Sequence, residues 1–257
     1  MPIQDTPTIK EVLGDNEFEL PIGFTDGDGN LHKTVTLREM TGYVDEAMSD
    51  QKVRSNPGKM LTELIHGVVE KMGSMKTFSK DIARNLTNAD RDFILAMNYK
   101  VSLGEEVTWE DACGNCGEKF EATIAVDALK VKYMTQDEPK LMKITLPNGI
   151  KDGEGNVYKE MTVSAPTGLV QERVVPLINQ NPNHAATQLM VLITEDIKGL
   201  EHWNFETFQK MTKKDRRHIQ KEISKIDVGI DLTPMVNCAS CGHNYNSQIP
   251  IQSLLGE

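Results

Sequence analysis

The chain has 257 residues, with 28 Lys and Arg against 38 Asp and Glu, for a formal charge of −10. Hydrophobic residues at 39% and charged ones at 26% describe an ordinary globular chain, with core enough for one large or two moderate domains. The acidic balance argues against broad phosphate-backbone binding, and neither a membrane-spanning apolar run nor a signal-peptide pattern is present, so a chain made inside the cell is expected.

The first 17 residues, with Pro2 and Pro7 and few apolar positions, read as an N-terminal arm that could fold against a partner. Leu20 to Leu37 then reads as strand, turn, strand. Asp26-Gly27-Asp28-Gly29-Asn30 supplies the residues that tolerate positive φ in a hairpin. The same letters resemble a calcium loop, but position 12 of that loop would be Leu37, where a glutamate is required. Thr41-Gly42 precedes a short helix over Tyr43–Asp50. Asn56-Pro57 opens a longer one, whose apolar residues Met60, Leu61, Leu64, Ile65, Val68, Val69 and Met72 keep helical spacing. Thr87 to Asp90 is a capping pattern for a helix carrying Phe93, Ile94, Met97 and Val101, ended by Gly104. Val107–Trp109 and Phe120–Val126 read as strands on either side of Cys113-Gly114-Asn115-Cys116-Gly117.

Sliding the chain along itself until Cys113 falls on Cys238 aligns far more than the cysteines. Thr87-x-x-Asp90-Arg91 meets Thr212-x-x-Asp215-Arg216, Asn56-Pro57 meets Asn181-Pro182, and Phe120 meets Tyr245. After a one-residue slip, Leu20-Pro21-x-Gly23 meets Leu146-Pro147-x-Gly149, and the two Asp-Gly-x-Gly-Asn turns coincide. The second long helix is expected to carry Ala185, Leu189, Met190, Leu192, Ile193 and Ile197 on one face. The reading is an α+β fold made of a tandem duplication, each copy a hairpin, helices and a strand–knuckle–strand ribbon. Its expected divisions are the arm 1–17, a first module 18–130, a linker 131–142 and a second module 143–257.

All four cysteines lie in the two knuckles, Cys113-x-x-Cys116-Gly117 and Cys238-x-x-Cys241-Gly242. A C-x-x-C turn aims two sulfurs at one point and the following Gly takes the unusual backbone angle. One knuckle offers two thiolates while tetrahedral zinc wants four, so Cys113, Cys116, Cys238 and Cys241 are expected to hold one structural Zn2+. A redox dithiol would need a helix N-terminus after the motif, and a pair of disulfides is the remaining alternative. His243 aligns with Glu118 and reads as a solvated knuckle residue. The run Lys213-Lys214-Asp215-Arg216-Arg217-His218 is the one local basic patch and reads as a solvated helix face. No catalytic cluster, Walker loop or dinucleotide fingerprint occurs, so a non-enzymatic protein is expected.

Asp90-Arg91-Asp92-Phe93-Ile94-Leu95, followed by Cys113-x-x-Cys116-Gly117 and a second C-x-x-C-G near the C-terminus, resembles the T4-type baseplate protein family. Its members are proteins of the central baseplate in contractile phage tails and contractile injection particles. The usual proline after the first Cys of each knuckle is replaced by Gly114 and Ala239, and no ligand is lost. The resemblance implies a structural adaptor at the baseplate hub of a virion tail, made in the host cytoplasm. Its implied partners are hub or spike, wedge or tube-initiator proteins, in multiple copies of a symmetric assembly, without nucleic acid or membrane. The arm and the C-terminal Leu254-Leu255 would be docking points. The alternatives are a tail assembly chaperone absent from the mature particle, and a zinc-ribbon nucleic-acid-binding protein.

Overall fold

The computed structural model describes residues 14, 16–135, 141–225 and 228–256. The expected N-terminal arm lies almost wholly outside the described residues. Strands β1 (Glu17–Thr25) and β2 (Leu31–Leu37) form an antiparallel hairpin. Helices α1 (Gly42–Ser49), α2 (Gln51–Arg54) and α3 (Pro57–Val68) follow, then β3 (Val69–Met72), α4 (Lys80–Asn85) and α5 (Asn88–Ser102). A ribbon of β4 (Glu106–Ala112) and β5 (Lys119–Ala125) comes next, and then the short β6 (Val131–Lys132). The second part of the chain gives β7 (Leu141–Lys151), β8 (Val157–Ser164), α6 (Gly168–Ile178), α7 (Pro182–Ile193), β9 (Thr194–Ile197), α8 (Phe205–Gln209) and α9 (Lys213–Ile223). It ends with β10 (Gly229–Ile230), β11 (Met235–Asn237), β12 (Asn244–Asn246) and α10 (Ile251–Leu255). The fold is mixed α and β, and no described helix is long and apolar enough to cross a membrane.

Local chemistry explains the element starts. Asn56 and Asn181 each cap a helix whose first residue is proline, accepting from the second and third backbone N–H groups beyond the cap. Thr87 and Thr212 cap α5 and α9 by accepting from Asp90 N and Asp215 N.

The two long helices stop earlier than their spacing predicts. Met72 and Ile197, expected on the apolar helical faces, lie instead on β3 and β9. Val69 and Thr194 turn the backbone to ψ 113 and 118, as β-branched residues favour, and the next residues pair with β2 and β8. Two three-stranded antiparallel sheets result, β1-β2-β3 and β7-β8-β9.

Each sheet is tied to a helix by one buried carboxylate. The first strand of each sheet breaks register at its Leu-Pro-x-Gly stretch, which frees backbone donors. Asp90, at the start of α5, accepts from Ile22 N at 2.8 Å and from Gly23 N. Asp215, at the start of α9, accepts from Asn148 N at 2.8 Å and is also bonded by Thr212 Oγ1. Gly23 and Gly149 both sit at φ +86, and a Cβ on either would lie 2.7 Å from a carbonyl of the neighbouring strand. The arginines that follow the aspartates repeat the pattern. Arg91 donates to Gly58 O and Thr62 Oγ1, while Arg216 donates to Asn183 O and Thr187 Oγ1.

The apolar core divides in two, and the division does not follow chain order. One cluster is built on β7, β8, α6, α7 and α9, from Ile144 to Ile219. The other is built on β1, β2, α3 and α5, and it also takes in Ile249, Leu254 and Leu255 from the last residues of the chain. Leu254 and Leu255, expected as an external docking point, are therefore buried on α10 against α5 and β4. Strand β10 pairs with β6 in the same way, so the last 30 residues close over the first core.

Candidate metal centre

The ribbons β4–β5 and β11–β12 are both antiparallel hairpins whose ends turn through a C-x-x-C-G knuckle. The knuckles are built alike. Cys113 N donates to Glu118 O at 2.9 Å and Gly117 N to Cys113 O at 2.8 Å. In the second, Cys238 N donates to His243 O at 3.0 Å and Gly242 N to Cys238 O at 2.8 Å. Gly117 and Gly242 sit at φ +76 and +72, which only glycine adopts without strain. Each turn leads from strand to strand, so neither C-x-x-C stands at a helix N-terminus where a reactive dithiol would belong.

Both hairpins rest on the first core, which brings their tips together. Trp109 Nε1 donates to Ser247 Oγ at 3.0 Å in a buried bond, and Tyr245 OH donates to Asp111 Oδ2 at 2.9 Å. Partial burial pushes the Asp111 carboxyl up, but hydrogen bonds from Ser247, Ala112 N and Tyr245 outweigh it and hold it below its usual range. Burial and this acceptor push the Tyr245 phenol up to about 12, so it stays a donor throughout the neutral range. Of these four fastening residues the sequence flagged only Tyr245, as the aromatic of the repeat. Trp109, Asp111 and Ser247 carry no recognisable motif, because their pairing is set by how the ribbons pack.

The result is that the four sequence-predicted cysteines converge. Their sulfurs all lie within 4.8 Å of one another. Cys113 Sγ is 3.7 Å from Cys241 Sγ, and Cys116 Sγ is 3.7 Å from Cys238 Sγ, so both close pairs cross from one knuckle to the other. All four are free thiols, with Cys113 and Cys238 buried and Cys116 and Cys241 exposed. An ion bonded to four sulfurs at about 2.3 Å has tetrahedral edges of about 3.8 Å, which the two close pairs match, so this donor set could hold a metal ion. Such a site is closed, with no ligand position left for water or substrate.

The two exposed sulfurs, Cys116 and Cys241, ionise differently. The His243 N–H and then Asn115 hold the Cys241 thiol down to about 6. The Glu118 N–H lowers Cys116, but its sulfur neighbours outweigh it and push that thiol up to about 12. Crowded thiols resist sharing negative charge, and a cation removes that conflict. His243 is exposed, stacks on Tyr245 with ring centroids 5.7 Å apart, and stands outside the sulfur cluster, as its alignment with Glu118 predicts.

A groove of about 1020 Å³ lies between α1, α3 and α10, and its walls include Met40, Met60 and Leu103. A family model described as T4 bacteriophage base plate protein matches residues 19–255. No curated protein and no solved structure matches the chain.

Proposed function

Because the chain belongs to the T4 bacteriophage base plate protein family, we propose that it is a non-enzymatic adaptor of the central baseplate, joining hub or spike to neighbouring baseplate proteins. In this reading Cys113, Cys116, Cys238 and Cys241 hold one structural zinc ion. Zinc suits four thiolates in a tetrahedron and has no redox chemistry of its own, which fits a clamp. The observation that carries the reading is the convergence of the four sulfurs from two ribbons far apart in sequence. Bound there, the ion would supply one thing, a fixed crosslink between the two hairpin tips. The residues of the chain do the rest: Trp109 and Asp111 align the ribbons, while Gly117 and Gly242 let the knuckles turn.

We also infer that the chain is a tandem duplication, with modules near 18–130 and 143–257. The paired sheets, Asn-Pro caps and Thr–Asp–Arg anchors support this. Packing of the last residues onto the first core makes the duplicate a clasp, because the second copy's ribbon rests on the first copy's core and not on its own.

Native mass spectrometry tests the clamp. One zinc per chain, released by chelator together with loss of the ribbon fold, is expected, whereas a chain four hydrogens lighter with no metal would mean two disulfides. Quantitative mass spectrometry of purified tails tests the role. A fixed whole-number stoichiometry in finished particles is expected, and presence only in unfinished baseplates would make the protein an assembly chaperone.

A further inference from the structure

Helices α5 and α9 are anchored by the same contacts, Thr cap, buried Asp and Arg, yet their outer faces differ completely. On α5 that face carries Asn88, Ala89, Asp92 and Ala96, and the chain covers it. Gly229 approaches Ala89 so closely that a Cβ there would stand 3.1 Å from the alanine's, and Asn88 N donates to Pro166 O. At the same helical positions α9 carries Lys213, Lys214, Arg217 and Lys221. Successive steps of 100° place these four within about 100° of arc, a single stripe opposite the buried Ile219. All four are exposed and none makes a salt bridge among the described residues.

The opposite charge stands on the other core of the same chain. The outer face of the β4–β5 ribbon presents Glu106, Glu110 and Glu121, all exposed and without a salt bridge among the described residues. Glu110 and Glu121 are direct cross-strand partners, so two like charges face each other, an arrangement that weakens a hairpin left to itself. A cationic surface laid across the ribbon relieves that repulsion. Lys119 stands on this face only at its knuckle end.

We infer that the α9 stripe docks on the β4–β5 face of a second copy of this chain. The lengths match: Lys213 to Lys221 spans about 12 Å of helix and Glu106 to Glu110 about 13 Å of strand. The two patches are different surfaces on different cores, so each copy offers one face to dock and another to be docked upon. The contact closes as a twofold dimer where both faces engage reciprocally, and otherwise repeats into a ring or a filament. Exposed ion pairs steer and orient more than they hold, so the association is salt-dependent and requires several pairs at once.

Sedimentation velocity of the full chain at about 50 mM and about 500 mM salt tests this, since screening shortens the reach of exposed charges about threefold across that range. Concentration-dependent assembly at low salt, lost at high salt, is expected. A variant with Lys213→Glu, Lys214→Glu, Arg217→Glu and Lys221→Glu should weaken it at least about tenfold, and so should one with Glu106→Lys, Glu110→Lys and Glu121→Lys. Neither set touches a core, so circular dichroism should be unchanged. The deciding measurement is the mixture of the two variants, each monomeric alone, which should assemble because each supplies the face that complements the other. Three results would overturn the proposal: a monomer at all salts, self-association that ignores the charge reversals, or no assembly in the mixture. A fluorescent duplex DNA oligonucleotide bound by wild type and lost in the α9 variant would assign the stripe to nucleic acid and overturn it as well.

Discussion

Arg91 is fully buried, and its guanidinium donates to Ala83 O at 2.7 Å, to Gly58 O at 2.9 Å and to Thr62 Oγ1 at 3.1 Å. Burial lowers its pKa to about 10, against the attraction of Glu172 and Asp92, so it remains charged at neutral pH. Arg216 makes only the equivalents of the last two bonds and is half-buried, with water at hand for its remaining donors. Lysine cannot reproduce the planar fork that serves three acceptors. Arg91→Lys should therefore cost about 2–4 kcal/mol, because it strands buried carbonyls, whereas Arg216→Lys should cost about 1 kcal/mol or less. Urea unfolding of both variants checks the contrast, and equal costs would refute the burial argument. Asp92, beside Arg91, behaves oppositely from Asp215, whose carboxyl is held below its usual range. Burial pushes its carboxyl up to about 6, and Arg91 only partly offsets this. The folded chain thus holds this proton more tightly than the unfolded one does. The penalty of ionising Asp92 is absent below pH 3.8, grows towards pH 6 and is complete above it. Asp92→Asn should raise stability at pH 7.5 by about 1–3 kcal/mol and leave it unchanged near pH 3.5, as read from urea midpoints at the two pH values.

At the scale of elements, the helices were readable because their signals are local. Asn-Pro starts, Thr-x-x-Asp caps and three-four apolar spacing fix α3, α5 and α7 whatever they pack against. Strands β3 and β9 were not readable, since Met72 and Ile197 fit the helical stripe as well as the strand they occupy. Only the offer of an open edge on β2 and β8 decides between the two. The convergence of the four cysteines was legible from spacing alone, yet the bonds that align their ribbons join Trp109 to Ser247 and Asp111 to Tyr245, contacts of very long sequence separation. The same reason hid the burial of Leu254 and Leu255. Two predictions follow from that packing. If the four cysteines hold the proposed zinc, Cys238→Ser should abolish the stabilisation it supplies and lower Tm by about 10 °C or more, with chelator having no further effect. Ending the chain after residue 227 should strip Ile249, Leu254 and Leu255 from the first core, worth about 5–8 kcal/mol of burial. Hydrogen exchange should then rise across α5 and β4 while the core around α7 stays protected. Uniform exposure of both cores would show that the ribbon is not what covers the first.

The whole molecule is held together where α6, a helix of the second core, meets α3 and α5 of the first. Gly168, at the start of α6, lies so close to Arg91 that a Cβ would stand 2.3 Å from Nη1. One turn on, Glu172 accepts from Thr62 Oγ1 at 2.7 Å and pairs with Arg84 at 3.0 Å, while its carbonyl accepts from Asn56 Nδ2 at 2.7 Å. Glu172 is 8% exposed; its carboxylate serves a hydroxyl and a guanidinium of the first core while its backbone carbonyl serves a cap. Removing one partner of such a buried network costs more than the network contributes as a whole, because the remaining charges stay desolvated. Glu172→Gln keeps the shape and loses the charge, so it should cost about 2–4 kcal/mol. The cost should also fall on coupling. With the network intact, the two cores are expected to melt in one calorimetric transition, since separating them would break the bonds of Glu172 to Thr62, Arg84 and Asn56. With Glu172→Gln, and more so with Gly168→Ala, which forces α6 away from the guanidinium, the transition should split in two. The lower-melting step should be the one sensitive to chelator if the zinc clamp belongs to the first core. A wild-type chain that already melts in two steps, or a Glu172→Gln chain whose single peak merely shifts, would place the coupling in the ribbons instead.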